Sequence, residues 1–165
     1  MKKILVAALA ALLVLSMMVP AMAEAVLGQA IFAAHGTKCF AVITVAMDGD
    51  KIADAYIDEF QMLTAGEAVG VPNSEAMIPV EGKVLGSKRV NAEMYSANMA
   101  NAGSTVAIDA NYDAIEAFAA GKTVAELEAV VAKTAEEVID AVAGCTLADT
   151  QGYLNGTIEA AKNAK

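Results

Sequence analysis

The spacing of hydrophobic positions changes halfway along the chain. Cys39 to Met47 (CFAVITVAM) is a nearly continuous apolar run rich in β-branched and aromatic residues, the composition of a buried strand. Asp48-Gly49-Asp50 follows as a turn, because glycine supplies a positive φ between turn-forming aspartates. Lys51 to Met62 then reads as the partner strand. Its Ile52, Tyr56 and Phe60 alternate imperfectly with Asp54 and Asp58, so one face is expected to be partly solvated. These segments predict an antiparallel hairpin, preceded by a short apolar piece from Gln29 to Ala34 that ends at Gly36-Thr37.

Residues 64–86 lose all periodicity and carry Gly66, Gly70, Gly82, Gly86, Pro72 and Pro79, which predicts a long loop. Beyond Ser87 the period becomes helical. Val90, Met94 and Ala97 mark one face of a helix over Lys88 to Asn101, ended by Gly103. Asp109 or Asn111 can cap a helix through Ala120, with Gly121 in the left-handed C′ position. Thr123 with Glu126, and Thr134 with Glu137, form two capping boxes. The first opens a helix to about Lys133, and the second opens another. A final helix from Thr150 to about Asn163 gathers Tyr153, Leu154 and Ile158 on one face. Strands in the first half and helices in the second predict one α+β domain: a small antiparallel sheet packed with C-terminal helices.

The N-terminus adds a compartment. Lys2 and Lys3 precede an apolar run from Ile4 to Val19, Pro20 breaks it, and Ala21-Met22-Ala23 offers small residues at −3 and −1. That order is a secretory signal peptide, residues 1–23. The run also approaches the length of a bilayer span, but the Ala-x-Ala site points to cleavage before Glu24. No cysteine adjoins the site, so lipid attachment is not indicated. Residues 24–165 then form the mature domain, outside the cytoplasm on the cell surface, in the periplasm or secreted, and no later run is long enough to span a membrane. The whole chain has a net charge of −9; without Lys2 and Lys3, nine cations face 20 acids, or −11. Such a surface repels phosphate backbones, and no basic stripe offsets it, which excludes nucleic acid as a natural partner.

Chemistry-bearing residues are sparse. Cys39 and Cys145 travel to a compartment where disulfides persist, and they serve either as one bridge or as two separate thiols. A bridge closing so long a loop stabilises a fold by roughly 4–5 kcal/mol on the chain-entropy argument. His35 is the only histidine, which leaves no zinc set and no Ser-His-Asp or Cys-His arrangement, and the acids lack metal-ligand spacing. Lys88-Arg89 can hold a phosphate, although adjacent cations at a helix start more often face solvent. Tyr56, Phe60, Tyr95 and Tyr153 can stack on an aromatic ligand, yet each suits a core.

The most informative stretch runs from Asp140 to Leu147 (DAVAGCTL), a glycine-containing turn ahead of a helix. Amides in such turns can hold a phosphate, and the Thr146 hydroxyl is a compact attachment point; as a bare pattern it is more often an ordinary turn between helices. The stretch Val138 to Leu147 (VIDAVAGCTL) resembles the Asp-x-x-Ser-Gly-Ala-Thr motif of the bacterial FMN-binding domain family. Met47 to Asp54 (MDGDKIAD) is similar to that family's opening hairpin, and Ala117 to Leu127 (AFAAGKTVAEL) to a segment of its exported members. The resemblance implies FMN joined by a flavin transferase to Thr146 as a phosphodiester, with Asp140 and Gly144 matching the motif aspartate and glycine. The flavin then exchanges electrons with an extracytoplasmic redox partner. Ala143 stands where the family has serine, and Cys145 where it has alanine, which places a thiol beside the acceptor hydroxyl. His35, at a strand end, is a candidate for a flavin edge. The alternative is an exported, non-catalytic binding module that keeps the fold without flavin.

Overall fold

The structure is a computed structural model that describes residues 25–36, 38–74 and 80–165; the expected export segment, residues 1–23, lies outside them. Four strands form one antiparallel sheet in the order β1-β2-β3-β4: β1 Val26–Phe32, β2 Cys39–Asp48, β3 Lys51–Thr64 and β4 Lys83–Ser87. Five helices follow: α1 Ala92–Asn101, α2 Ile108–Ala119, α3 Val124–Val131, α4 Ala135–Ala141 and α5 Thr150–Lys162. The α+β expectation holds.

The hairpin forms where Asp48-Gly49-Asp50 predicts it, with Gly49 at φ 62°. Its imperfect alternation has a structural cause. The register between β2 and β3 shifts beside Ala46/Met47, so Ala53 and Asp54 are exposed in succession between buried Ile52 and Ala55. After this bulge Ala55, Ile57 and Glu59 point to the same side as Val45, Ile43 and Ala41.

Two expectations need correction. The segment 64–86 is not all loop, because Lys83–Ser87 returns as β4 against Phe60–Thr64. The helix expected from Lys88 starts only at Ala92, and residues 88–91 form a turn. Strand β4 is short and contains Gly86, so neither period shows within it; its pairing with β3 defines it.

All the helices lie on one side of the sheet. Helix α5 crosses β1 and β2, α2 lies on β3, and α3 and α4 pack against α5. Between the layers Ala41, Ile43, Val45, Ile52 and Ile57 meet Ile108, Tyr112, Ile115, Leu127, Val138, Tyr153 and Leu154, all essentially inaccessible. Tyr153, Leu154 and Ile158 are buried, as the final helical face predicts. The first half of β3, which β4 does not reach, has its edge closed by other groups. Arg89 Nε donates to Ile57 O (2.6 Å), Ile57 N–H to Glu116 Oε1 (2.6 Å) and Ile52 N–H to Lys122 O (2.9 Å). Paired this way, the edge no longer offers itself to another chain. The other side of the sheet is open along β1, β2 and the middle of β3. Among the described residues no helix is long and apolar enough to cross a membrane.

Candidate functional site

The turn singled out by sequence joins α4 to α5 at the end of the sheet where β2 begins. Gly144 adopts φ +87°, and Cys145 N–H bonds back to Val142 O (3.1 Å). Thr146 is exposed, while its N–H donates to Asn111 Oδ1 (2.8 Å). Asn111 is fully buried, and its amide nitrogen donates to Val106 O and Ala107 O, so it clamps the turn onto the start of α2. Sequence had offered Asp109 or Asn111 as the cap of this helix, but the N-cap is Ala107 without a side-chain bond, and Asn111 works through this long-range contact instead. Among the described residues a Cβ built on Gly144 meets only Ala114 Cβ, at 3.8 Å, so the turn is open on its outer side.

Cys145 points inward. Thr150 Oγ1 donates its single proton to Leu147 O (2.5 Å) and therefore accepts from the Cys145 thiol (3.1 Å). Both cysteines are free, Cys145 buried and Cys39 half-buried, so the open choice between bridge and separate thiols resolves to two thiols. Asp140 is exposed on α4.

His35 is brought to this turn by packing. Its Nδ1 lies 2.5 Å from Asp149 Oδ2, with 47% and 36% of the two side chains exposed. Asp149 is the N-cap residue of α5 but makes no side-chain bond to the helix amides, because its carboxylate turns to His35. Beyond His35 a cavity of about 230 Å³ is lined by His35, Lys38, Cys39 and Gln61.

Behind Cys39 and Gln61 lies a cluster that the sequence does not reveal. Glu59 and Lys88 are inaccessible and form an ion pair through Lys88 Nζ and Glu59 Oε2. Tyr153 donates to the same oxygen (2.8 Å), and the Tyr112 hydroxyl lies 3.5 Å from it and 3.4 Å from that of Tyr153. The Lys88 ammonium is 4.6 Å from the centre of the Tyr95 ring, and the Tyr95 hydroxyl donates to Gln61 (3.3 Å). Among the described residues Glu59 Oε1 has no hydrogen-bond partner. Burial acts to lower the Lys88 pKa, but the Glu59 carboxylate outweighs it and holds the ammonium above its ordinary value. Burial and then Glu59 push Tyr112 far up, and burial, Tyr112 and Glu59 do the same to Tyr153. The Cys39 thiol rises to about 11, mainly by burial and then by Glu59. It is a protonated, unreactive thiol at neutral pH.

The remaining candidates fall into structural places. Arg89 bonds Asp113 and Glu116 at 2.8 and 2.5 Å and lies 4.9 Å from the Tyr56 ring centre, so neither Lys88 nor Arg89 is a solvent-facing cation. Phe60 stacks on Phe40, with ring centres 5.5 Å apart. Among the described residues no group of three or more His, Cys, Asp or Glu residues is placed to hold a metal ion. The site thus offers an exposed hydroxyl on a clamped glycine turn, with a histidine–aspartate pair and a small polar cavity alongside. Compared with protein-family models, curated proteins and solved structures, the chain matches none of them.

Proposed function

We propose that the chain is an exported flavin carrier of the FMN-binding type, with FMN held through Thr146 and electrons passed between extracytoplasmic redox partners. The observation that carries this reading is the presentation of Thr146. Its side chain is exposed while its backbone is fixed by the buried Asn111, the arrangement a transferase needs to reach a hydroxyl. Gly144 leaves the outer side of the turn open, which fits a phosphate group there. Cys145 turns away into its bond with Thr150, so the thiol that departs from the family motif does not crowd the acceptor. When bound, the flavin supplies the redox chemistry. The chain's own part is to hold the attachment point, and to place His35, Lys38 and Gln61 around the adjoining cavity. Thr146 is exposed on the turn, so the residues fit a surface-tethered group.

Co-expression with a flavin transferase tests the reading. The expected result is a mass gain of about 438 Da, FMN less water, and absorption near about 370 and 450 nm, both lost in Thr146→Ala. An unmodified chain under conditions that flavinylate a control domain sinks it and favours the second reading, an exported binding module without flavin. The open apolar face of the sheet supports that second reading.

A further inference from the structure

The loop before β4 walls a cavity of about 330 Å³ over Asp58 and Phe60, which alternate with Ile57 and Glu59 and so face away from the helices. Phe60, Val69, Val71 and Val90 give the cavity apolar sides, and Asp58 and Ser87 are its polar side chains. Val69 and Val90, 62% and 66% exposed, stand at the mouth, while Asp58, at 9%, lies at the floor. The wall is fixed in place. Buried Asn91 accepts from Val69 N–H (2.7 Å) and donates to Val69 O (3.0 Å) and Ser87 O (2.8 Å). Val71 N–H donates to Leu85 O (2.7 Å). Gly86 leaves room for this clamp, since a Cβ there falls 3.1 Å from Asn91 Nδ2 and 3.2 Å from Val69 O. A preformed apolar cavity with a few fixed polar groups, of this volume, belongs to the smaller class of small-molecule sites.

We infer that this cavity binds a small free amine as its ammonium ion, with the nitrogen at Asp58 and an apolar or aromatic body between Phe60 and the three valines. The hydrogen bonds select that chemistry. Ser87 gives its single hydroxyl proton to Asp58 Oδ2 (2.6 Å), and its oxygen accepts from Val90 N–H (3.0 Å). Among the described residues Asp58 Oδ1 receives only the Arg89 N–H, at a long 3.3 Å. Both polar side chains therefore offer acceptors to the cavity, which suits a ligand rich in donors and disfavours a carboxylate or phosphate. Charge selects in the same direction. Among the described residues no ion pair reaches Asp58, because the guanidinium of Arg89 turns to Asp113 and Glu116. A buried carboxylate held only by neutral donors gains from a cation brought beside it. Thr146 lies on the helix side of the sheet, so the inference stands with or without flavin.

Titration of the secreted, mature protein with 2-phenylethylamine, followed by NMR, decides the matter. For a ligand of about nine non-hydrogen atoms the expected dissociation constant is on the order of 0.1 mM. Saturable shifts should appear at the Val69, Val71 and Val90 methyls and the Phe60 ring, and phenylacetate, of similar shape and opposite charge, should bind at least roughly tenfold more weakly. Asp58→Asn should cost at least roughly tenfold in amine affinity. Val90→Trp, at the exposed mouth, fills the cavity without touching the core and should abolish the shifts, which keeps the test decisive even if Asp58→Asn does not fold. No saturation by about 5 mM amine, some fiftyfold above that constant, overturns the inference. Equal binding of amine and phenylacetate does so too, since the cavity is then only apolar. A protein this acidic attracts cations at many points, so amine binding that survives Val90→Trp, or that a folded Asp58→Asn leaves unchanged, is general attraction and also overturns it.

Discussion

Lys88→Met leaves the Glu59 carboxyl buried and facing two tyrosine hydroxyls, with no cation to balance it. Breaking a buried pair in this way costs about 3–5 kcal/mol, a large part of the stability of a domain this size. Lys88→Met with Glu59→Gln removes both charges and keeps an acceptor for Tyr153, so the double variant should recover much of that loss. Urea unfolding of the three proteins measures it, and a single variant within about 0.5 kcal/mol of the parent is incompatible with a buried ion pair. Cys39 gives a second residue-scale test. Raising its pKa from 9.0 to about 11 shrinks the thiolate fraction at pH 8 roughly 100-fold, so alkylation in the folded protein should be correspondingly slow. The folded state holds the proton more tightly than the unfolded one, so this contribution to stability is complete below pH 9 and is lost as pH rises through 11. Cys39→Ala should therefore flatten the alkaline fall in melting temperature. Neither property is legible in the chain. Glu59 is one acid in a strand and Lys88 one cation before a helix; they stand 29 positions apart, and only folding gives each its partner. Thr146 and Gly144 could be found because their turn is encoded locally.

At the scale of elements, the same distinction separates what the sequence reveals from what it conceals. The hairpin and the helices after Gly103 are written in adjacent residues: a turn triplet, two capping boxes, and Gly121 at φ +79° where a C′ glycine was expected. Strand β4 is not, because Val84 and Leu85 become strand only by pairing with Leu63 and Met62. Thr123 shows how a local signal also acts at a distance. Its side chain caps α3 through Glu126 N–H (3.2 Å), and its backbone bridges to Lys51 at the start of β3. Thr123→Ala should destabilise the domain by about 1 kcal/mol, measurable by thermal or urea unfolding. The Thr123 N–H and hydroxyl hold the Glu126 carboxyl below its ordinary value of 4.5. A carboxyl depressed on folding contributes stability above its unfolded pKa and loses it as pH falls through the folded one. Glu126→Gln should accordingly lose less helicity than the parent below pH 4.5, followed by circular dichroism.

For the whole molecule, the decisive contact is between the last helix and the first loop. Helix α5 closes the domain by lying across β1 and β2, and its N-terminal turn rests directly on the backbone after β1. Gly152 makes that approach possible, since a Cβ there falls 2.3 Å from Ala34 O and 3.0 Å from Ala34 C. The same contact brings His35 to Asp149 and so joins the β1–β2 loop to the turn bearing Thr146. Two effects of Gly152→Ala oppose each other. Inside a helix, alanine is favoured over glycine by about 1 kcal/mol. Against that, an overlap with backbone atoms cannot be relieved by a rotamer change, and overpacking of this kind costs about 1–3 kcal/mol. Relief requires α5 or the loop to move, and the rest of α5 is anchored by Tyr153, Leu154 and Ile158 in the core. The steric loss should win, leaving a net destabilisation of about 1–2 kcal/mol, whereas a surface helix would gain from the same substitution. The loop should yield first, because Ala33, His35 and Gly36 around the buried Ala34 are exposed. The His35 ring resonances should then shift toward those of a solvated histidine, while core methyl resonances near Ile43 and Ile57 stay in place. A Gly152→Ala protein that is more stable than the parent, with His35 unmoved, contradicts this account of how the domain is closed.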